Sequence, residues 1–327
     1  MVKLLQINDV HTSDKPPTWR TDSYLDEIFD KLYAVLEIAN DNYVDALVFP
    51  GDLFHNPAPT KNSHFLVSRW LKYFDTVAEQ MGSFFHIIIV PGNHDLAAGR
   101  IENVDKQPIG ILSHHPNVDL LHSGRFIELK GVQIAGVHWN YKMNSQWIHD
   151  QLYDTVDRTD VLVIHAAIDQ HENPYYEVID PNELIDLARV VLFGHIHPPE
   201  HPYGVTRYVD GQQLTTWISN PGALSRGSLT DSDLNRTPQV ALIDIHTSDD
   251  IRIQYIPVPS KPATDVFRVE AAQLKKADAA EVERFVSQLA AVTISGVTIE
   301  GLAQKISEQS DDPDVVVKAQ EILYKSV

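Results

Sequence analysis

Five short segments of the sequence each end an apolar run with side chains that can bind a metal ion. They lie at residues 9–11, 51–55 and 92–95, at His165, and at residues 194–197. Ligands bind at the carboxyl ends of strands in open α/β sheets, so five such ends indicate one shared site. The candidate metal ligands are Asp9, His11, Asp52, Asn93, His165, His195 and His197.

The chemistry that suits these residue types is two-metal hydrolysis of a phosphate ester. Two divalent ions about 3.5–4 Å apart hold the phosphate oxygens and lower the pKa of a bridging water. One carboxylate has to bridge the ions from a rigid position, and Asp52, which follows Gly51 in a tight turn, is the candidate. Imidazole beside carboxylate favours manganese, iron or zinc over calcium, which prefers oxygen ligands alone.

The elements that must position these residues alternate between strand and helix. Residues 24–39 carry apolar side chains at helical spacing, and residues 63–77 form a second helical segment. After His197, three runs at 214–219, 240–245 and 251–258 predict strands that complete the sheet in antiparallel fashion. The pattern predicts an α/β protein with helices covering a sheet. The earlier predicted strands are residues 3–8, 46–49, 84–90, 132–137, 161–164 and 190–193.

The composition limits what else the chain can be. Hydrophobic residues make up 43% of the 327 residues and charged residues 22%, which is typical of a folded globular protein. The absence of cysteine excludes disulfides, zinc–thiolate sites and thiol nucleophiles. No secretory leader or membrane span is recognisable, so we expect a cytoplasmic protein. The net charge of −19 opposes binding to nucleic acid unless metals or a partner supply attraction.

Taken together, the five motifs resemble the signature of the calcineurin-like metallophosphoesterase superfamily. The resemblance implies a two-layer β sandwich flanked by helices, which is an α/β fold of the α+β sandwich type. It also implies two bound divalent ions. Asp52 would be shared by both metal sites. The resemblance assigns Asp9, His11, Asp52 and His197 to one site and Asp52, Asn93, His165 and His195 to the other.

Within that superfamily, the sequence is most similar to the SbcD-type nucleases of DNA repair. The similarity rests on residues 51–55, on Pro59-Thr60 and on Asn220-Pro221-Gly222. It implies Mn²⁺-dependent exonuclease and endonuclease action on DNA, a homodimer, and an ABC-type ATPase partner of the SbcC kind. A proline-rich connector divides the chain into a nuclease domain, residues 1–260, and a C-terminal cap and partner-binding region, residues 261–327.

The same resemblance gives roles to three residues that are not needed as ligands. His94 would protonate the leaving oxygen, Asp95 would orient His94, and His55 would contact the substrate phosphate. Histidine suits proton transfer because its ordinary pKa, about 6.5, can be raised by a neighbouring carboxylate. For His55, an ordinary exposed loop residue is the alternative interpretation.

Further residues have a possible role in binding. Trp139 and Tyr141 follow a predicted strand and could stack on a nucleobase, with simple packing as the alternative. Arg226 could meet a phosphate, with a solvated arginine as the alternative. The helix at 63–77, carrying Phe65, Leu66, Trp70 and Phe74, is the candidate dimer contact, and a predicted terminal helix at 312–326 is a candidate dock for the ATPase.

Two other functions compete with that of a DNA nuclease. An enzyme of the same fold could hydrolyse a small phosphodiester or a phosphoprotein, which the net charge of −19 favours. A protein-binding scaffold could keep the fold without catalysis, although the intact ligand set argues against it. Cleavage assays would distinguish the three functions. A nuclease would cleave DNA with Mn²⁺, a small-diester hydrolase would cleave only model diesters, and a scaffold would cleave neither.

Overall fold

A computed structural model of the chain describes residues 1–152, 158–169, 178–209, 211–246 and 250–269. Met1–Phe267 forms one compact unit and Arg268–Val327 a second. The predicted helix at 312–326, and most of the C-terminal region predicted from residue 261, lie outside the described residues. The domain boundary at 260/261 therefore stays a prediction.

Within the described part of the first unit, the strands form two six-stranded sheets. The first sheet has the order β12-β11-β1-β2-β3-β4 and the second the order β5-β6-β7-β8-β10-β9, with the strands numbered along the chain. The strands are β1 Val2–Gln6, β2 Ala46–Phe49, β3 His86–Ile89, β4 Val118–Leu120, β5 Phe126–Leu129, β6 Val132–Val137, β7 Thr159–His165, β8 Ala188–Gly194, β9 Glu200–Val209, β10 Gln212–Asn220, β11 Gln239–Ile245 and β12 Ile251–Pro257. The helices are α1 Tyr24–Asp41, α2 His64–Met81, α3 Pro108–Leu112, α4 Ser145–Leu152, α5 Asp231–Asn235 and α6 Ala263–Val266.

The central strands are mostly apolar, as is usual for strands that are buried on both faces. In β1, Leu5 belongs to the core formed with helices α1 and α2, whereas Val2 and Leu4 belong to the core between the two sheets. The second sheet buries its other face in a third core with α4. The predicted α/β sandwich, two sheet layers flanked by helices, is confirmed.

Parallel pairing brings the ends of several strands to the same edge. In the first sheet, β1, β2 and β3 run parallel, and in the second, β6, β7, β8 and β10 do the same. The predicted antiparallel completion holds for β11 and β12 but not for β10, which pairs parallel with β8. β10 takes its antiparallel partner from β9, a strand that the sequence analysis did not predict.

Helix α2 is a core element, which corrects the interpretation of its apolar side chains. Leu66, Trp70 and Phe74 are fully buried in the first unit, and Trp70 Nε1 donates to Thr12 Oγ1 at 2.9 Å. Only Phe65, of the four residues predicted for a dimer contact, is exposed. Three of these side chains therefore cannot mediate dimerisation, because their own fold covers them.

No helix in the described ranges combines the length and apolar character needed to cross a membrane.

Candidate metal centre

The seven predicted ligands meet at one end of the sandwich, and Asp52 lies in the middle. Asp52 Oδ2 is 3.5 Å from His11 Nε2 and 3.3 Å from His165 Nε2. These two histidines come from different sheets, since His11 follows β1 and His165 ends β7. Asp52 therefore has the position that a carboxylate shared by two cations requires.

The remaining ligands fall on either side of Asp52. On one side, His11 Nε2 and His197 Nε2 are 3.0 Å apart, and one ligand atom from each lies within 4.8 Å of a carboxylate oxygen of Asp9. On the other, Asn93 Oδ1 lies 2.8 Å from His165 Nε2 and 3.1 Å from His195 Nδ1. This grouping is the same as that implied by the resemblance, and the assignment of each residue as a ligand stays a prediction.

The polar atoms around His165 call for a positive charge. Its Nδ1 lies 2.7 Å from the carbonyl oxygen of Pro50, so this nitrogen carries the hydrogen and donates it. Nε2 of the neutral ring then offers a lone pair, yet it faces Asn93 Oδ1 and Asp52 Oδ2, which are acceptors too. A proton on Nε2, or a divalent cation in its place, would satisfy all three atoms. The fixed outer nitrogen is also the arrangement usual for metal-binding histidine.

The pKa values of the buried groups reflect how closely the charged and polar side chains of the site lie to one another. Burial lowers the pKa of His165, but the charges of Asp52 and Asp9 outweigh this effect and raise it to about 9. Burial also favours the neutral form of Asp52, yet the charges of His165 and His11 hold its pKa well below the usual range. Burial and the charge of His165 lower the pKa of His195 to about 4, so its imidazole is neutral and able to bind a metal at neutral pH.

Four of the predicted ligands have a left-handed backbone, which non-glycine residues rarely adopt. The φ angles are 47° at Asp9, 50° at His11, 53° at Asp52 and 102° at His195. Such conformations cost on the order of 1–3 kcal/mol each and persist where the surrounding structure enforces them. One restraint is the hydrogen bond from His11 N to the carbonyl oxygen of Asp52, at 2.8 Å. The strained backbone conformations therefore occur at residues whose side chains converge on one point.

Gly51 is required at its position by close contact as well as by its φ of 98°. A Cβ at this residue would lie 2.2 Å from His165 Nδ1.

We predict that Gly51→Ala lowers the metal affinity of the predicted site that contains His165 by about 10- to 100-fold, because the displaced His165 no longer faces Asp52 and Asn93. Isothermal titration calorimetry with Mn²⁺ measures the affinity of the variant for the metal. Gly82→Ala is the matched control, because Gly82 has a φ of 106° with nothing within 4 Å of the added Cβ. Equal effects of the two substitutions would contradict the contact argument.

His94 lies beside the metal ligands, and the backbone holds its ring. Its Nδ1 is 2.7 Å from the carbonyl oxygen of His55, and its backbone N donates to Asp52 Oδ1 at 2.8 Å. The His94 ring centre is 4.8 Å from that of His11 and 5.3 Å from that of His55, which stacks on it. Because Nδ1 is engaged, Nε2 is the nitrogen of His94 that can exchange a proton with a substrate.

Asp95, which is predicted to orient His94, binds backbone N–H groups of two loops. It is buried, and its carboxylate accepts hydrogen bonds from the backbone N atoms of Leu53, Phe54 and Gly92 at 3.4, 3.0 and 3.0 Å. The His94 ring contacts the carbonyl oxygen of His55 through Nδ1, and the orientation of His94 by Asp95 stays a prediction. Burial and the nearby charge of Asp52 raise the pKa of Asp95 to about 7. Asp95 thus joins the loop after β2 to the loop after β3.

The sequence analysis missed a buried amide network beneath the ligands. Gln6 Nε2 donates to Asn8 Oδ1 at 2.9 Å, and Asn8 Nδ2 donates to the carbonyl oxygen of Phe193 at 2.7 Å and to Asn220 Oδ1 at 2.9 Å. Asn220 Nδ2 in turn donates to the carbonyl oxygen of Ile196 at 2.9 Å. The network joins the segments that carry Asp9, His195 and His197. Its signal in the sequence is a pair of amide side chains, Gln6 and Asn8, on either side of Ile7 at the end of the first apolar run.

Arg226 has no access to a substrate phosphate. It is buried, and its guanidinium donates to the carbonyl oxygen of Lys261. Its own carbonyl oxygen accepts from Arg20 Nη1 at 2.7 Å. Both alternatives considered for Arg226, a phosphate contact and a solvated side chain, were wrong, because this arginine anchors the segment that follows β12.

Comparison with known proteins agrees with this geometry. The family model for calcineurin-like phosphoesterases matches residues 2–199, a range that includes all seven predicted ligands together with His55, His94 and Asp95. The chain belongs to the calcineurin-like phosphoesterase family. It is therefore a phosphoester hydrolase, and this family uses divalent metal ions.

Two curated relatives share the name DNA double-strand break repair protein Mre11. The Mre11 of Aeropyrum pernix is 24% identical over 244 residues, which cover 68% of this chain and 57% of that protein. The Mre11 of Saccharolobus solfataricus is 25% identical over 137 residues, which cover 42% of this chain and 33% of that protein. The matches thus span between one third and three fifths of these relatives. One solved structure matches 79% of this chain and 99% of its own, with a TM-score of 0.48 and 17% identity.

Proposed function

We propose that this chain is a metal-dependent nuclease of the SbcD and Mre11 type that cleaves DNA in repair or recombination. One observation carries the proposal: Asp52 Oδ2 lies 3.5 Å from His11 Nε2 and 3.3 Å from His165 Nε2, between two groups of nitrogen and oxygen ligands. The choice of DNA as substrate is supported by the two relatives that are named as DNA repair proteins.

In this proposal, Asp52 would hold both of two divalent cations. Asp9, His11 and His197 would complete one site, and Asn93, His165 and His195 the other. The bound cations would neutralise the charge of the phosphodiester and activate a water molecule. Mn²⁺ is the proposed metal because the resemblance to SbcD-type nucleases implies it, and the mixture of imidazole nitrogen with carboxylate and amide oxygen suits manganese, iron or zinc better than calcium.

In this proposal, His94 transfers a proton, His55 contacts the substrate phosphate, and Asp95 positions the loops that carry them. His94 Nδ1 is held by the His55 carbonyl, so Nε2 delivers a proton to the leaving oxygen. Burial and the charge of His94 lower the pKa of His55, so its neutral ring contributes a hydrogen bond, not a charge, to the phosphate. Asp95 positions the two loops that carry these histidines.

We further propose a homodimer and an ABC-type ATPase partner of the SbcC kind. The net charge of −19 opposes the approach of DNA, so tight binding requires surface supplied by a partner. The C-terminal region, residues 261–327, is the proposed cap and partner-binding segment. A dimer contact on α2 would have to use Phe65, which is 64% exposed, rather than the buried face of the helix.

A second candidate is a hydrolase of small phosphodiesters with the same catalytic centre. The net charge of −19 favours it, because a small diester offers fewer phosphates for an acidic protein to repel.

Metal removal tests the proposal and separates the two candidates. We expect chelation to abolish cleavage of a DNA oligonucleotide, and two equivalents of Mn²⁺ per chain to restore it, because the phosphate and the water are activated only by bound cations. Circular dichroism should change little, since the three hydrophobic cores contain no metal ligand. Hydrolysis of bis(p-nitrophenyl) phosphate without cleavage of DNA would favour the second candidate. Full activity in the metal-free protein would refute both.

A further inference from the structure

Two buried hydroxyl groups hold the backbone of residues 8–12, which follow β1 and which we call the ligand loop. The hydroxyl of Tyr24, the first residue of α1, donates to the carbonyl oxygen of His11 at 3.0 Å. The hydroxyl of Ser225 donates to the carbonyl oxygen of Asp9 at 3.0 Å. The left-handed backbone of Asp9 and His11 persists only where surrounding contacts enforce it. The two hydroxyls therefore lie where they can supply part of that restraint.

Ser225 belongs to residues 223–226, which we call the supporting segment because they lie along the ligand loop. The backbone N of Ser225 is 3.4 Å from the same carbonyl oxygen of Asp9 that accepts from its hydroxyl. The backbone N of Ala223 donates to the carbonyl oxygen of His197 at 3.0 Å. The supporting segment thus contacts the backbone of Asp9 and of His197, two predicted ligands of the same metal site.

The carbonyl oxygens of the supporting segment accept hydrogen bonds from cationic side chains. Lys31 Nζ donates to the carbonyl oxygen of Leu224 at 3.1 Å, and Arg20 Nη1 donates to that of Arg226 at 2.7 Å. Arg236 donates to the other two carbonyl oxygens of the segment. Hydrogen bonds from charged donors are roughly twice as strong as those between neutral groups. Four consecutive carbonyl oxygens held in this way fix the supporting segment firmly.

Helix α1 contacts both the ligand loop and the supporting segment through one polar face. Tyr24, Glu27 and Lys31 follow one another at helical spacing, and all three are buried. Glu27 Oε1 is 2.8 Å from Lys31 Nζ, and its Oε2 is 3.2 Å from Arg20 Nη2. Buried ion pairs add little net stability, because the cost of desolvation offsets their attraction. What the pairs do here is hold Lys31 and Arg20 against the supporting segment.

We propose that Tyr24 and Ser225 are positioning residues for the predicted metal site of Asp9, His11 and His197. Their hydroxyls bind backbone carbonyl oxygens, so they act on the metal only through the placement of Asp9 and His11. The inference rests on the proposed function, because that function supplies the metal site.

The test uses the whole chain with Mn²⁺ alone as the probe. We expect the double variant Tyr24→Phe/Ser225→Ala to bind one of the two equivalents of Mn²⁺ about tenfold more weakly, and the other within about twofold of the wild type. Loss of a group that orients a ligand weakens metal binding by about 10- to 100-fold. Isothermal titration calorimetry measures both affinities.

A second readout needs no metal. In the metal-free double variant, hydrogen exchange at residues 9–12 should be faster than in the wild type, because the backbone N atoms of His11 and Thr12 bond to the carbonyl oxygens of Asp52 and Leu53. Exchange in the strands of the second sheet should stay unchanged. Mass spectrometry of peptic fragments measures both regions.

Tyr73→Phe is the matched control for the loss of a buried phenol hydroxyl. Tyr73 is fully buried, and its hydroxyl has no hydrogen-bond partner within the part of the chain that the structure describes. This variant should match the wild type in both measurements.

The outcomes separate the inference from the function on which it rests. Unchanged Mn²⁺ affinities in the double variant would overturn the inference and leave the proposed function intact. Equal losses at both equivalents, with faster exchange throughout both sheets, would also overturn it, because the hydroxyls would then serve only stability. A wild-type protein that binds no Mn²⁺ would overturn the proposed function and, with it, this role of the two hydroxyls.

Discussion

Asp52→Asn should lower kcat for bis(p-nitrophenyl) phosphate by about 10³-fold or more and reduce the bound Mn²⁺ to less than two equivalents per chain. Asp52 Oδ2 serves both groups of ligands, at 3.5 Å from His11 Nε2 and 3.3 Å from His165 Nε2, so the loss of its charge weakens both cation sites. Asparagine has nearly the same shape, and its Oδ1 can still accept the hydrogen bond from His94 N. Steady-state kinetics and elemental analysis measure the two effects.

Asp119→Asn is the matched control for this substitution. Asp119 pairs with His86 at the opposite end of β3 from the metal centre, with a 2.7 Å contact, so its loss should leave the rate and the metal content unchanged. Two equivalents of Mn²⁺ and an unchanged rate in Asp52→Asn would show that another residue bridges the cations.

His94→Gln should lower the rate of DNA cleavage by about 10²- to 10⁴-fold while both Mn²⁺ ions stay bound, because the substitution removes a proton donor and no ligand. The loss should be much smaller on bis(p-nitrophenyl) phosphate. Its nitrophenolate leaves without needing a proton, whereas the alkoxide released from DNA has to be protonated. The measurement is the ratio of the two losses, together with metal content.

His149→Gln controls for the loss of an imidazole. His149 lies on α4 with its side chain 57% exposed, outside the metal centre. Loss of metal in His94→Gln would place His94 among the ligands. An equal loss on both substrates would assign His94 to phosphate binding rather than to proton transfer.

Much of the fold and the membership of the site could be predicted from the sequence because both follow from local patterns. Short β-branched runs and the helical spacing of residues 24–39 predicted β2, β6 and α1 closely. Strand β9 was missed because its sequence mixes polar and apolar residues and contains no continuous apolar run. The candidate ligands were recognisable because each one follows an apolar run, and the rule that parallel strands present their carboxyl ends together is general.

The contacts that give these residues their roles could not be predicted. His55 and Asp95 are neighbours of the site in sequence, but only the folded loops bring the His55 carbonyl to the His94 ring and the Asp95 carboxylate to the backbone N of Gly92. The burial of Trp70 was also unpredictable, because helical spacing identifies an apolar face without identifying what covers it. The burial of Arg226 depends on contacts with Arg20 and Lys261, which are distant in the sequence.

The sequence by itself determined the strand ends, the ligand types and the family, since these depend on residues close together along the chain. Only the tertiary structure decided that Asp52 lies between His11 and His165, because those histidines come from different sheets whose packing joins residues more than a hundred positions apart. It also decided the left-handed backbone at Asp9 and His195, since strain of this kind persists only where long-range contacts enforce it.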